Sequence, residues 1–279
     1  MFKIIKKEFL APNIVSFDVF APRVAKAALP GQFVIVIADT YGERLPLTIT
    51  DYDPEAGTVQ VVIQALGPST KKLSSFEEGD LLESFVGPLG QPSAFLQEDL
   101  ESLKKKKYLF IGGGLGAAPI YPQVKWFHDR KIPCDVIIGS KSKDYVILEE
   151  KLKACTSKVY IATDDGSQGF HGLVTDCLDQ LVHQGNHYDH CVAIGPMVMM
   201  KYVSLLTKKL NIPTTVSLNP IMVDGTGMCG ACRCTVAGKT KFACVHGPEF
   251  DGHEVDFDEA MKRQRQYADV EKEKGVTND

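Results

Sequence analysis

Nowhere in the 279 residues does an apolar run approach the roughly 18 consecutive residues that a membrane-spanning helix requires. A basic excess is missing as well: 31 Lys and Arg stand against 35 Asp and Glu, for a net charge of −4. A chain that neutralises the phosphates of a polymer carries the opposite balance, so nucleic acid is not expected as a partner. The opening stretch MFKIIKKEFL lacks both an uninterrupted apolar core and a small-residue cleavage site, so no secretory signal is legible. A cytoplasmic protein with no membrane partner is the expectation. Internal repeats and low-complexity tracts are absent too, which excludes solenoids and disordered linkers.

What is present is an ordinary globular composition, 44% hydrophobic and 24% charged. At about 150 residues per domain the length predicts two domains, or three if one is small. Eight cysteines divide into two groups. Cys134, Cys155, Cys177 and Cys191 are scattered through strand-like or helical runs, where a free thiol behaves as a small hydrophobe. Cys229, Cys232, Cys234 and Cys244 crowd together among glycines, which points to a metal site.

Residues 1–98 alternate β-rich runs (IVSFDVF, QFVIVI, LPLTIT, TVQVVIQAL, LLESFV) with turn signals, the spacing of an antiparallel sandwich or barrel. A short helix is expected around KKLSSF, and the run Lys104 to Lys107 reads as a solvated strand entrance. From 104 to 213, apolar strands alternate with amphipathic segments such as APIYPQVKWFH, YVILEEKLKAC, LVTDCLDQLVHQ and MMKYVSLLTKKL. That rhythm predicts an α/β doubly wound parallel sheet. Residues 214–257 form a small Gly- and Cys-rich module with strand candidates RCTVAG and TKFACV, and 258–279 read as a charged helix and tail.

The phosphate-binding candidate is GGGLGAAP, Gly112 to Pro119, directly after an apolar strand and opening a helix. Small residues let the backbone approach a pyrophosphate, whose charge is favoured by the free N–H groups and the dipole at a helix N-terminus. It departs from GxGxxG, since Pro119 replaces the third glycine and the second strand, VIIGS, ends without an acidic residue. Thr163-Asp164-Asp165-Gly166-Ser167 and Gly195-Pro196-Met197 fall at later strand C-termini, where ligands of open α/β sheets bind. In the first domain, Arg44 offers a fork to a diphosphate, Thr48 a hydroxyl to a planar ring edge, and Gly67-Pro68-Ser69-Thr70 an anion nest.

Asp224, Cys229, Cys232 and Cys244 follow the C-x4-C-x2-C…C order of plant-type 2Fe–2S sites, with aspartate in the first position. Cys234, two residues beyond Cys232, is the rival fourth ligand, with Asp224 the favoured one. Zinc on three Cys and one Asp is the alternative metal, and its 4,2 spacing departs from the usual C-x2-C pairs.

Taken in order, Arg44-x-Pro46-Leu47-Thr48, GPST, GGGLGAAPI, TDDGS, the GPM turn and the cysteine loop resemble the ferredoxin–NADP reductase superfamily. More narrowly they resemble its iron–sulfur branch of electron-transfer subunits. That branch includes the subunits of dihydroorotate and sulfide dehydrogenases and the small subunit of an NADH-dependent, electron-bifurcating ferredoxin:NADP oxidoreductase. The resemblance covers nearly the whole chain and implies an FAD-binding barrel, an NAD domain and a 2Fe–2S module. It assigns FAD contacts to Arg44, Leu45, Pro46, Leu47, Thr48, Ile63, Gln64, Gly67, Ser69 and Thr70, with Leu47 near the ring although relatives usually have an aromatic there. It assigns the nicotinamide nucleotide to Gly113, Gly114, Gly116, Ala117, Ala118, Asp164, Asp165, Gly166, Gly195, Pro196 and Met197. NADH is the expected nucleotide, while Lys141 and Lys143 keep NADPH open. No side chain is expected to act as an acid or base. A larger flavin and iron–sulfur subunit is implied as partner, in a heterodimer or higher assembly, with ferredoxin reached indirectly. Asp224, where the dihydroorotate branch resembles Cys, inclines the resemblance toward the bifurcating oxidoreductase.

Overall fold

The computed structural model describes residues 1–156 and 158–269. In the first domain the elements run β1 (Phe2–Ala11), β2 (Ile14–Phe20), α1 (Pro22–Ala27), β3 (Phe33–Ile37), β4 (Leu45–Asp53), β5 (Thr58–Gln64), α2 (Pro68–Ser74), β6 (Leu81–Leu82) and β7 (Ser84–Leu89). The strands form one antiparallel sheet in the order β6-β1-β2-β5-β4-β3-β7. Its two edge strands are consecutive in sequence, so the sheet curls into a nearly closed barrel. Val15, Phe17, Val19, Val34, Val36, Val59, Val61 and Ile63 fill it, the alternate residues that a strand sends to one face.

The first strand is not among those expected, because lysines interrupt the apolar alternation of FKIIKKEFLA. They are accommodated by exposure or by stretching out. The Lys7 side chain is only 6% exposed, its stem lying on the barrel while its ammonium reaches Glu77 at 2.7 Å.

After α3 (Leu100–Leu103) come β8 (Tyr108–Gly113), α4 (Ala117–Asp129), β9 (Cys134–Ser140), α5 (Glu149–Cys155), β10 (Val159–Thr163), β11 (Phe170–His171), α6 (Val174–His183), β12 (His190–Ile194), α7 (Met197–Lys209) and β13 (Thr214–Ser217). The remaining elements are β14 (Arg233–Val236), β15 (Lys239–Phe242), α8 (Ala243–His246), β16 (Glu249–Asp251) and α9 (Phe257–Gln264). The second sheet has the order β11-β10-β9-β8-β12-β13-β16, parallel throughout except for β16. β8 and β9 are buried at every residue, as strands covered on both faces must be. Phe110, Val136 and Ile138 face the layer of α4 and α5, whereas Leu109, Ile111 and Ile137 face that of α6 and α7.

Four sequence expectations are corrected. The boundary at 213/214 cuts through the parallel sheet, since β13 is its sixth parallel strand and β16 returns from the cysteine module to pair with it. The helix expected from Tyr145 begins only at Glu149, because Leu148 adopts a left-handed φ of 59° that no helix interior accommodates. In TKFACV the strand stops at Phe242, and Ala243–His246 is a helical turn. Nor is the lysine run merely solvated: Lys106 bonds Glu98 at 2.5 Å and Lys107 reaches the buried Asp135 at 3.0 Å. The expected tail from 270 lies outside the described residues.

The domains are locked together. Lys125 of α4 pairs with Asp51 of β4 at 2.7 Å. At the meeting point of all three modules the Glu249 carboxylate accepts hydrogen bonds from Ser93 Oγ and Gln123 Nε2, each at 2.9 Å.

Candidate functional site

The strand order places a topological switch point between β8 and β12, where crossovers leave to opposite faces and a crevice opens at the strand C-termini. Gly113, Gly114, Gly116, Gly195 and Pro196 meet there. Gly116 presses against the main-chain carbonyl of Ile194 so closely that no Cβ fits. Gly114 differs: its φ is +53° and its Cβ position faces open space. Ala117 and Ala118 are buried in the first turn of α4, and Met197 is buried at the start of α7. Met199, which sequence reasoning missed, lies over Gly113 and Gly195. Only the register of α7 could have pointed to it.

The turn at Asp164, Asp165 and Gly166 is tied to the turn after β9. Asp164 N donates to Ser140 O at 3.0 Å, and Lys143 N donates to Ser167 Oγ at 2.8 Å. Asp165 Oδ1 accepts from Ser167 N and Oγ, and those bonds, the hydroxyl's first, hold its carboxyl below the ordinary range. Lys141 and Lys143 are exposed at the rim.

On the barrel, residues directly opposite across β3 and β4 share a face: Phe33 with Thr48 and Ile35 with Pro46, Val34 with Leu47 and Val36 with Leu45. Val34 and Val36 belong to the barrel core, and Leu45 and Leu47 pack on it. Leu47 is thus on the core side, away from the face carrying Thr48, contrary to the expected place near a ring. Ile63 is likewise in the core, and Gln64 ends β5 half-buried. Thr70 Oγ1 accepts from Leu66 N and Gly67 N and donates to Gly67 O, each at 3.1 Å, while Ser69 Oγ donates to Glu43 at 2.5 Å.

The outward face of Phe33 and Ile35 is covered by the cysteine module. Phe33, Ile35, Cys232, Ala243 and Cys244 form one apolar cluster, joined by Leu89, Met222, Phe242 and Val245. Gly225, at φ +82°, brings the loop onto Ile35, where an added Cβ would lie 2.8 Å from Cγ1. Gln91 clasps the same module, its N bonding Gly247 O at 2.6 Å and its Nε2 bonding Val245 O at 2.9 Å. Arg44 donates through Nε to Val223 O at 3.1 Å and through a terminal nitrogen to Asp224 O at 2.8 Å.

Within the loop, Cys232 Sγ and Cys244 Sγ are 3.2 Å apart and buried. Burial, then the Cys232 sulfur, push the Cys244 thiol up to about 12. Cys229 is exposed, and its thiol is held below the ordinary value by the amides of Ala231, Asp224 and Val223 bearing on its sulfur. Cys234 points the other way, into the core with Leu109, Met200 and Val216. The Asp224 carboxylate accepts from Thr226 Oγ1 at 2.5 Å, Thr226 N at 2.8 Å and Met228 N at 3.3 Å, which keep it ionised. Among the described residues no three His, Cys, Asp or Glu side chains converge on a single ion position. The donor chemistry, two soft thiols on a glycine-rich loop where the Ala231 amide meets the Cys229 sulfur and a third on α8, fits an iron–sulfur cluster.

Comparison with known proteins agrees. Residues 219–256 match the iron–sulfur cluster binding domain of dihydroorotate dehydrogenase B. An uncharacterized Clostridium beijerinckii protein from the adh 3′ region is 59% identical over all of this chain and 96% of its own. A Thermotoga maritima homolog of the dihydroorotate dehydrogenase B (NAD(+)) electron transfer subunit is 45% identical, covering 97% of this chain and 93% of that protein. A chain of the solved NADH-dependent reduced ferredoxin–NADP oxidoreductase, described for flavin-based electron bifurcation, superposes with a TM-score of 0.90 at 43% identity, covering 98% of this chain and 96% of that one. The chain belongs to the family of dihydroorotate dehydrogenase B electron-transfer subunits and their homologues, oxidoreductase subunits built on this three-module fold.

Proposed function

We propose that the chain exchanges hydride equivalents with NAD(H) and relays single electrons to a larger partner subunit of an electron-bifurcating ferredoxin:NADP oxidoreductase. NADH, FAD and a 2Fe–2S cluster supply the hydride, the two-electron store and the one-electron outlet; the protein supplies orientation and electrostatics. Gly113, Gly114, Gly116, Ala117, Ala118, Gly195, Pro196 and Met197 form the nucleotide crevice, with the Asp164–Gly166 turn at its rim. Arg44, Pro46, Thr48, Gly67, Ser69 and Thr70 hold FAD on the outward face of the barrel, the main chain of Leu45, Leu47, Ile63 and Gln64 completing the cradle. Asp224, Cys229, Cys232 and Cys244 hold the cluster.

One observation carries the reading: the β3–β4 face bearing Thr48 is the face whose Phe33 and Ile35 pack on Cys232 and Cys244. A flavin edge held at Thr48 and a cluster held by these cysteines would then flank one apolar cluster of side chains. Met228, 88% exposed beside the exposed Cys229, marks the exit side, where a partner removes the cluster from solvent. The aspartate in the ligand order favours the bifurcating assembly.

Native complex isolated without oxygen tests this. A co-purifying flavin and iron–sulfur subunit that couples NADH, NADPH and ferredoxin is the expected result, with NADH preferred by this chain; a kinetic preference for NADPH here would overturn the nucleotide assignment. The match of residues 219–256 favours a second reading, electron transfer for a dihydroorotate dehydrogenase, which dihydroorotate-linked activity would reveal.

A further inference from the structure

We propose that Arg44 is a positioning residue for the cluster as well as a flavin ligand: its fork onto Val223 O and Asp224 O aims the cluster loop's amides from the barrel side. The inference rests on the reading of that loop as a 2Fe–2S site.

Arg44 immediately precedes β4 and is separated by about 180 positions from the two carbonyls it bonds at 3.1 and 2.8 Å. A planar guanidinium matches two adjacent acceptors, and it has five N–H donors. Two are spent here, so three remain for a diphosphate at the barrel mouth.

The consequence lies on the far side of the peptide. In a trans peptide unit the C=O and the following N–H point in opposite directions. Holding Val223 O and Asp224 O toward Arg44 therefore turns the N–H groups of Asp224 and Gly225 away from it and fixes the main chain on both sides of Asp224, the first residue of the ligand order. A cation on the carbonyl also polarises the unit, strengthening its N–H as a donor. Hydrogen bonds to sulfur and local positive charge both favour the reduced, more negative cluster. Gly225 lets the loop sit this close to the barrel, since an added Cβ would lie 2.8 Å from Ile35 Cγ1. Arg44 thus joins flavin occupancy and cluster tuning in one side chain.

The test uses the full chain carrying its cluster, wild type and variants, with FAD removed from all so that flavin loss is common to them. Arg44→Gln removes charge and fork; Arg44→Lys keeps the charge but not the fork; Glu43→Gln is the neighbouring control. Expected for R44Q are an altered EPR line shape of the reduced cluster, a more negative midpoint potential and about tenfold faster iron loss to a chelator. R44K should change the line shape with a smaller shift in potential, and E43Q should match wild type. Arg44 variants indistinguishable from flavin-free wild type in spectrum, potential and iron release would overturn the inference while leaving the cluster reading intact. A wild-type chain that holds no iron would overturn both.

Discussion

Asp224 and Cys234 compete for one role, and their surroundings separate them. The Cys234 thiol is pushed up to about 11 by burial and lies in the core beneath α7 and α9, whereas the Asp224 carboxylate sits on the same glycine-rich loop as Cys229. Asp224→Cys is expected to retain iron while changing the EPR spectrum and lowering the potential, since thiolate donates more strongly than carboxylate. An unchanged spectrum and potential would transfer the ligand role to Cys234. Cys234→Ala should keep the spectrum and cost about 1–2 kcal/mol in denaturant unfolding, as loss of a small buried group does. The spacing alone did not make this contrast legible, because residues two apart on a strand share a face; Cys232 and Cys234 diverge because β14 begins only at Arg233, leaving Cys232 in the preceding turn. Nor did the sequence make Arg44's bond to the loop legible, since a contact between positions 44 and 224 depends on how two domains dock.

At the scale of elements, the crevice proposed for the nucleotide depends on two glycines for different reasons. Gly116→Ala meets the Ile194 carbonyl and should destabilise by about 1–3 kcal/mol, displacing β12 from α4 and abolishing NADH binding by calorimetry. Gly114→Ala meets nothing but must keep a left-handed φ, so a loss of about 1 kcal/mol is expected. Strand–helix alternation from 104 onward was readable because each period is long and strongly apolar. β1 was not, because Lys7 is satisfied by distant pairing with Glu77 while its stem lies along the barrel, and Lys6 pairs at the surface with Glu8. The boundary near 213 misled for a related reason: β13 is only four residues, and its membership of the parallel sheet is fixed by pairing with β12 and β16. Leu47 turned inward by register, which the turn preceding β4 does not reveal.

For the whole molecule, the junction of the three modules sets a pH dependence. Burial pushes the Glu249 carboxyl up to about 7 against the bonds from Ser93 and Gln123, and pushes His190, across a cavity of about 40 Å³ also walled by Glu98, Tyr108 and Thr215, down to about 4. Between pH 4.5 and 7 the unfolded chain has released the Glu249 proton and the folded chain keeps it, so this group lowers stability as pH rises. Between pH 4 and 6.5 the unfolded chain protonates His190 and the folded chain does not, so that group raises stability with pH. The two slopes oppose each other where they overlap. Glu249→Gln should therefore raise stability above pH 7, on the order of 2 kcal/mol, and expose a steeper loss on the acid side in thermal melts across that range. Equal shifts at every pH would contradict this assignment.

On the proposed function one chain carries both flavin and a 2Fe–2S cluster and is reduced by NADH. Anaerobically purified protein should show flavin absorbance and iron, and NADH added without partner should bleach the flavin and raise the EPR signal of a reduced 2Fe–2S cluster. A colourless protein containing zinc, with no flavin and no response to NADH, would contradict the account.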